Sequence, residues 1–329
     1  MPLAVICRAL GPPERLSLEE VTLPPLGPGD ARVRLRACGI NFPDTLTILG
    51  KYQHKPDLPF IPGVESAGVI AELAPDVAGW RVGDRVVTRQ RTGGYAEEIV
   101  LQAAQLVPLP ERFSFAEGAS FFVASLTAYH ALVQRAALRP GETLLVHGAA
   151  GGVGLAAVEL GKLLGARVIA TASSAQKLAI AQRRGADEGL DYTAEDWVEA
   201  VRRLTDGAGA DVVFDPVGGE VLAQSLRAVA WNGRVLVVGF AGGTIPALAA
   251  NRILLKSCSV MGVRAGEASR RQPELGAAAL EALLSYADKG QLRPHVSASL
   301  PLERYAEAMR LLMERKAIGR VVLVPNASA

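Results

Sequence analysis

The sequence predicts an α/β protein whose doubly wound parallel sheet follows a β-rich opening segment. Three observations carry that expectation. Short apolar stretches broken by Pro and Gly fill about the first hundred residues, strand-like and helix-like segments alternate from about Phe121, and a glycine-rich turn opens that alternation.

The opening apolar stretches are residues 3–7, 32–38, 66–73, 84–88 and 96–101, punctuated by "LGPPERL", "LPPLGPGD" and "FIPGVE". Residues 121–138 carry apolar positions suited to a helix, and "LRPG" leads into the apolar run Leu144 to His147. Further runs follow at 167–172, 188–190, 211–215, 234–239 and 258–262, separated by helical patterns. With the run at 144–147 they make six candidate strands, the number in a doubly wound dinucleotide fold. Two helical patterns, 274–289 and 302–315, precede a final strand, "GRVVLVP".

Composition narrows the class. The chain has 329 residues, half of them hydrophobic and 21% charged, enough for about two domains with their own cores. The net charge of +2 comes from 35 basic and 33 acidic residues interspersed, which gives no basic footprint for nucleic acid and no polybasic membrane patch. No uninterrupted apolar run approaches the ~20 residues of a membrane helix. Three scattered cysteines (Cys7, Cys38, Cys258) imply reduced thiols and a cytoplasmic location. The start, "MPLAVICRAL", lacks a basic stretch and a full apolar run, so it is read as an opening strand.

The glycine-rich turn is the most informative stretch. In "LLVHGAAGGVGLAAVELGKLLGARVIA" a strand runs into small residues, then into a helix whose apolar positions are Val153, Ala157, Leu160 and Leu164. Gly165 is placed to cap that helix. Ala150, Gly151, Gly152 and Val153 would let backbone N–H groups approach a pyrophosphate at a helix N-terminus. Ala149 stands where the first glycine of the G-x-G-x-x-G fingerprint would be, and close helix–sheet packing is the alternative use of such a turn. The second strand ends in "TASSAQK", with Ser173, Ser174 and Lys177 and no carboxylate. Hydroxyls and an ammonium suit a 2′-phosphate that a carboxylate would repel, so NADP(H) is favoured over NAD(H).

The chain resembles the medium-chain dehydrogenase/reductase superfamily, and within it the zinc-free NADPH:quinone oxidoreductases related to zeta-crystallin. "GINFPD", "GKY", "LPFIPGVESAGVI", "VGDRV", "GGYAEEIV", "SLTAYHAL", "HGAAGGVG", "LDY", "ANRILLKS" and "IGRVVLVP" fall in the family's order at about its spacing. The resemblance implies a GroES-like catalytic domain built from residues 1–122 and 265–329. A Rossmann NADP-binding domain of residues 123–264 is inserted in it, with the nicotinamide in the cleft between the two. It also implies a homodimer joined through the Rossmann sheet edge near 258–262, or a higher assembly.

In the zinc alcohol dehydrogenases of the superfamily, the stretch matching "GINFPD" carries a Cys and a His that hold the metal. Those places are Asn41 and Phe42 here, and Val64 in "GVE" stands where a histidine usually follows the Gly. Cys38 falls just outside the ligand position and is read as a small buried residue. The four histidines (54, 130, 147 and 295) are scattered and no closely spaced Cys quartet exists, so no metal is expected.

Without a Lewis acid, hydride transfer suits an acceptor that spreads the incoming charge itself, such as a quinone or an α,β-unsaturated carbonyl. The resemblance makes Tyr52 a hydrogen-bond or proton donor, with a surface tyrosine as the alternative. It puts Asn41 near the nicotinamide ribose or carboxamide, with a turn-stabilising role as the alternative. It also brings Thr127 near the nicotinamide, with helix packing as the alternative, and Tyr192 beside the 2′-phosphate, with a strand-closing tyrosine as the alternative. Gly239 and Phe240, at the carboxyl end of a strand, are expected on the nicotinamide side of the cleft. Asp44 is read as a loop or helix cap, Asn251 as structural, and Glu65 is given no catalysis. A rival activity on the same fold is enoyl-thioester reduction, to which Arg264, Arg270 and Arg271 could contribute a basic rim. A non-enzymatic crystallin-like or RNA-binding role would call for a degraded cofactor turn or a basic face.

Overall fold

The computed structural model describes residues 1–325. They form two compact units, one of Met1–Val123 completed by the C-terminal segment from Arg293, the other of Ala124–Leu292.

The first unit is β-rich. Strand Asp30–Gly39 pairs antiparallel with Glu65–Leu73, with Glu98–Gln102 and, at its far end, with the C-terminal strand Arg320–Val324. Its alternating burial puts Ala31, Val33, Leu35 and Cys38 into a core shared with Ile70, Val86, Val321 and Leu323. Short apolar stretches bounded by Pro and Gly made these strands legible. Strand Val296–Pro301, which pairs parallel with Arg320–Val324, was not expected. Its sequence, VSASLP, is mostly small and polar, and only Leu300 is buried.

The second unit contains a six-stranded, wholly parallel sheet. Its spatial order is Glu188–Asp191, Arg167–Ala172, Thr143–Val146, Ala210–Asp215, Val229–Val237, Ser259–Gly262. Numbered along the chain this is 3-2-1-4-5-6, the doubly wound order, and the crossover directions change beside Thr143–Val146. Near-continuous Val, Ile, Leu and Ala in the central strands fit a sheet covered on both faces. Gly165 closes the helix Gly152–Leu163 at φ +83°, as its sequence position anticipates.

Three expectations shift. The helix expected over 121–138 runs as α-helix only over Phe122–Tyr129, and His130–Arg135 winds as a π-helix, with the Ala136 N–H reaching back to the Ala131 carbonyl (2.9 Å). The strand expected at 234–239 begins at Val229, because a bulge absorbs Trp231–Gly233 with Asn232 at φ +58°. The junction expected at residue 265 lies at 292/293 instead. Helices Ala265–Arg271 and Pro273–Asp288 stay with the second unit, where Ala279, Leu283 and Ala287 are buried and Gln134 Nε2 donates to the Leu275 carbonyl (2.9 Å). Among the described residues, no helix is long and apolar enough to cross a membrane.

Candidate functional site

The nucleotide-type turn is built at the carboxyl ends of the parallel strands. After Thr143–Val146 the chain passes through His147 and Gly148, and the Ala149 N–H donates to Thr171 O on the neighbouring strand (3.1 Å). Alanine serves where the fingerprint has glycine because Ala149, although buried, does not take a left-handed backbone conformation. Gly154 cannot be replaced so freely, because a Cβ there would drive into the Gly148 carbonyl oxygen. Helix Gly152–Leu163 begins with Gly151 as N-cap and no side-chain cap. The N–H groups of its first turn therefore have no partner within the helix, and the half-exposed Gly151, Gly152 and Val153 leave them open to an anion.

The next strand ends beside this turn. Ser174 caps helix Ala175–Arg183 by accepting from the Lys177 N–H (3.4 Å), and Lys177 Nζ donates to Ser173 Oγ (3.1 Å). The Tyr192 N–H donates to the Ala172 carbonyl (3.2 Å), which sets the exposed Tyr192 beside the end of this strand. Hydroxyls, an ammonium and an aromatic thus share one corner without a carboxylate among residues 171–179. These residues fit a dinucleotide carrying a 2′-phosphate.

On the other side of the turn, two loops are laced together. Asp215, last residue of its strand and fully buried, accepts from the Val217 and Gly218 N–H groups through Oδ1 (2.6 and 3.0 Å). Its backbone carbonyl receives the Val238 N–H (2.9 Å), and Ala241 and Gly242 donate to the Pro216 and Val217 carbonyls (3.0 and 2.7 Å). Gly239 lies against Pro216 and Phe240 against Gly218. Burial pushes the Asp215 carboxyl up to about 6. Sequence reading missed Asp215, although the glycine pair Gly218–Gly219 after a strand marks the spot. Thr127 is half-buried in helix Phe122–Tyr129.

In the first unit the structure brings Asn41 into a buried polar cluster. Asn41 is the N-cap of helix Phe42–Ile48 and is 1% exposed. Its backbone N–H donates to Asp44 Oδ2 (2.9 Å), an oxygen that also accepts from the buried Tyr95 hydroxyl (2.8 Å). Asp44 therefore serves the helix start, and burial raises its carboxyl to about 6. Asn41 Oδ1 accepts from an Arg320 guanidinium nitrogen (2.8 Å), which also reaches Glu65 Oε2 (3.3 Å). Glu65 Oε1 in turn accepts from the Phe122 and Val123 N–H groups (2.6 and 3.1 Å). Burial pushes Glu65 up to about 7 against the opposing pull of Arg320 and those two donors. Arg320 escaped the sequence reading because 279 residues separate it from Asn41. Tyr52 is half-buried on the bend after the same helix.

Cys38 is fully buried, its thiol pushed up to about 12 by burial and directed at the Ala96 carbonyl (3.8 Å). Among the described residues, no three or more His, Cys, Asp or Glu side chains are grouped as a metal would need. Arg264, Arg270 and Arg271 converge on the carboxylate of Glu267 at the start of helix Ala265–Arg271.

Two family profiles match, one described as an alcohol dehydrogenase GroES-like domain over residues 27–111, the other as a zinc-binding dehydrogenase over residues 152–282. The second span holds no histidine and one cysteine, Cys258. A quinone oxidoreductase-like protein 2 homolog of Nematostella vectensis is 42% identical over 97% of this chain and 88% of its own. A quinone oxidoreductase of Pseudomonas syringae superposes with a TM-score of 0.91 at 34% identity, over 99% of this chain and all of the other. A quinone oxidoreductase of Escherichia coli, solved in complex with NADPH, gives a TM-score of 0.91 at 31% identity over 98% of this chain and all of the other.

Proposed function

The chain belongs to the quinone oxidoreductase-like, zeta-crystallin-related family of the medium-chain dehydrogenase/reductases, and from that premise we propose that it is an NADPH-dependent reductase of quinones or α,β-unsaturated carbonyls that works without zinc. When bound, NADPH supplies the hydride. The open first turn of helix Gly152–Leu163 holds the pyrophosphate, and Ser173, Ser174, Lys177 and Tyr192 hold the 2′-phosphate. The relative solved with NADPH supports this assignment.

The observation that carries the acceptor class is the donor set around Asn41. An amide, an aromatic hydrocarbon (Phe42) and a valine (Val64) stand where a metal site would need thiolate or imidazole. An amide N–H stabilises developing negative charge by hydrogen bonding, which suffices for an acceptor that delocalises that charge over a ring or an enolate. Tyr52, a phenol protonated at neutral pH, donates a hydrogen bond or the proton that completes reduction. A homodimer paired along the exposed edge strand Ser259–Gly262 belongs to the same proposal.

NADPH oxidation measured side by side with 1,4-benzoquinone and crotonyl-CoA tests the reading. Turnover with the quinone, reduced in Tyr52→Phe, is the expected result. Preference for crotonyl-CoA would move the activity to enoyl thioesters and make the Arg264, Arg270 and Arg271 cluster the next target. Tight NADPH binding with neither acceptor consumed would contradict it.

A further inference from the structure

We infer that Arg320 is a positioning residue for the reaction, orienting and polarising the Asn41 amide so that its side-chain N–H is presented as a donor. The inference rests on the proposed role of Asn41.

The juxtaposition is written into the sheet register. Strand Arg320–Val324 pairs antiparallel with the end of Asp30–Gly39, Val322 opposite Gly39. Continuing that register by two residues sets Arg320 across from Asn41, and the Ile40 N–H still bonds to the Val321 carbonyl (3.0 Å). An N-cap asparagine ordinarily turns its side-chain oxygen onto the helix. Here Asn41 and Asp44 are arranged as a capping box, but the Asp44 N–H makes its bond to the Asn41 backbone carbonyl (3.0 Å), and Oδ1 accepts its close bond from the guanidinium (2.8 Å). Asp44 serves the Asn41 backbone N–H (2.9 Å), so the helix start does not depend on the Asn41 side chain alone.

With the oxygen committed to Arg320, the amide cannot flip. Of its two N–H bonds one reaches Gly39 O at a long 3.3 Å. Among the described residues the other has no acceptor, so a buried donor waits for one. A cation on the carbonyl oxygen draws electron density from the amide and strengthens the opposite N–H as a donor. Glu65 accepts from the same guanidinium nitrogen (3.3 Å) and is itself anchored by two backbone N–H groups.

The test compares wild type, N41A, N41D, R320M, R320K and the double variant N41A/R320M. The readouts are quinone-dependent NADPH oxidation, NADPH affinity by fluorescence titration, thermal unfolding, and the Asn41 side-chain amide resonance in the cofactor-free protein. R320M is expected to lower kcat roughly tenfold to a hundredfold, with KM and NADPH affinity within about threefold. R320K restores most of kcat at pH 7 and loses it again as pH rises through the deprotonation of its lysine, which burial brings below that of a free lysine. The double variant is no slower than N41A, because both changes remove one interaction. N41D, which keeps the shape but cannot donate, matches N41A and serves if R320M does not fold. The amide resonance moves in R320M and returns in R320K. Multiplying losses, equal losses in R320K and R320M at pH 7, an unmoved resonance, or a fall in NADPH affinity as large as that in kcat would overturn the inference. A wild type that consumes no acceptor would instead refute the functional reading beneath it.

Discussion

At the scale of single residues, charge placement distinguishes two polar clusters, one in each unit. Lys177 puts an ammonium next to Ser173 and Ser174 in a corner without carboxylates. A charge-assisted bond of this kind is worth about 1.5–3 kcal/mol. Lys177→Ala should therefore raise the NADPH dissociation constant by at least about tenfold while leaving NADH unchanged, as read by fluorescence titration. Equal losses for both cofactors would remove the 2′-phosphate assignment. Asn41 and Arg320 belong to the cluster in the first unit, and here the sequence spoke only in part. "GINFPD" marked Asn41, and the C-terminal strand was recognisable, but no local pattern joins residues so far apart. Antiparallel register alone brings them together.

At the scale of elements, the fold was legible wherever a strand buries one or both faces over several residues. The six parallel strands, the glycine turn and the Gly165 cap were all visible as apolar runs and punctuation. What stayed hidden depends on tertiary partners: the polar-looking strand Val296–Pro301, the π-helical turn at His130–Arg135, and the grouping of helix Pro273–Asp288 with the second unit. A buried pin also escaped notice. His147 sits between Thr171 (Nδ1 to Oγ1, 2.9 Å) and Ser225 (Nε2 to Oγ, 3.1 Å), with Trp197 edge-on to its ring, so one imidazole ties two strands and two helices. Burial lowers its pKa to about 3 from an ordinary 6.5. Below 6.5 the unfolded chain takes up a proton that the folded one refuses, so the stability from neutral His147 is full above that pH and is lost as pH falls toward 3. His147→Gln should be less stable than wild type at pH 7, and urea unfolding should show the gap narrowing between pH 6.5 and 3. A gap constant across that window would contradict a buried neutral imidazole.

At the scale of the whole molecule, the parallel sheet ends on an open edge. Ser259–Gly262 is the last strand in the order, and the helix before it exposes Leu254 and Leu255 at 77% and 70%. An unpaired edge beside exposed leucines is a template for a two-fold copy of itself. Sedimentation of the wild type at micromolar concentration should show a dimer, and Leu254→Glu a monomer. A monomeric wild type would rule that assembly out.

In the proposed reaction, amide and phenol donors support hydride transfer from NADPH in place of a metal. Its most direct test is NADPH oxidation with 1,4-benzoquinone by protein dialysed against chelator, with zinc quantified on the same sample. Turnover unchanged at a zinc content far below one per chain is the result this account predicts. Activity that falls with the zinc removed, and returns when zinc is added back, would contradict it.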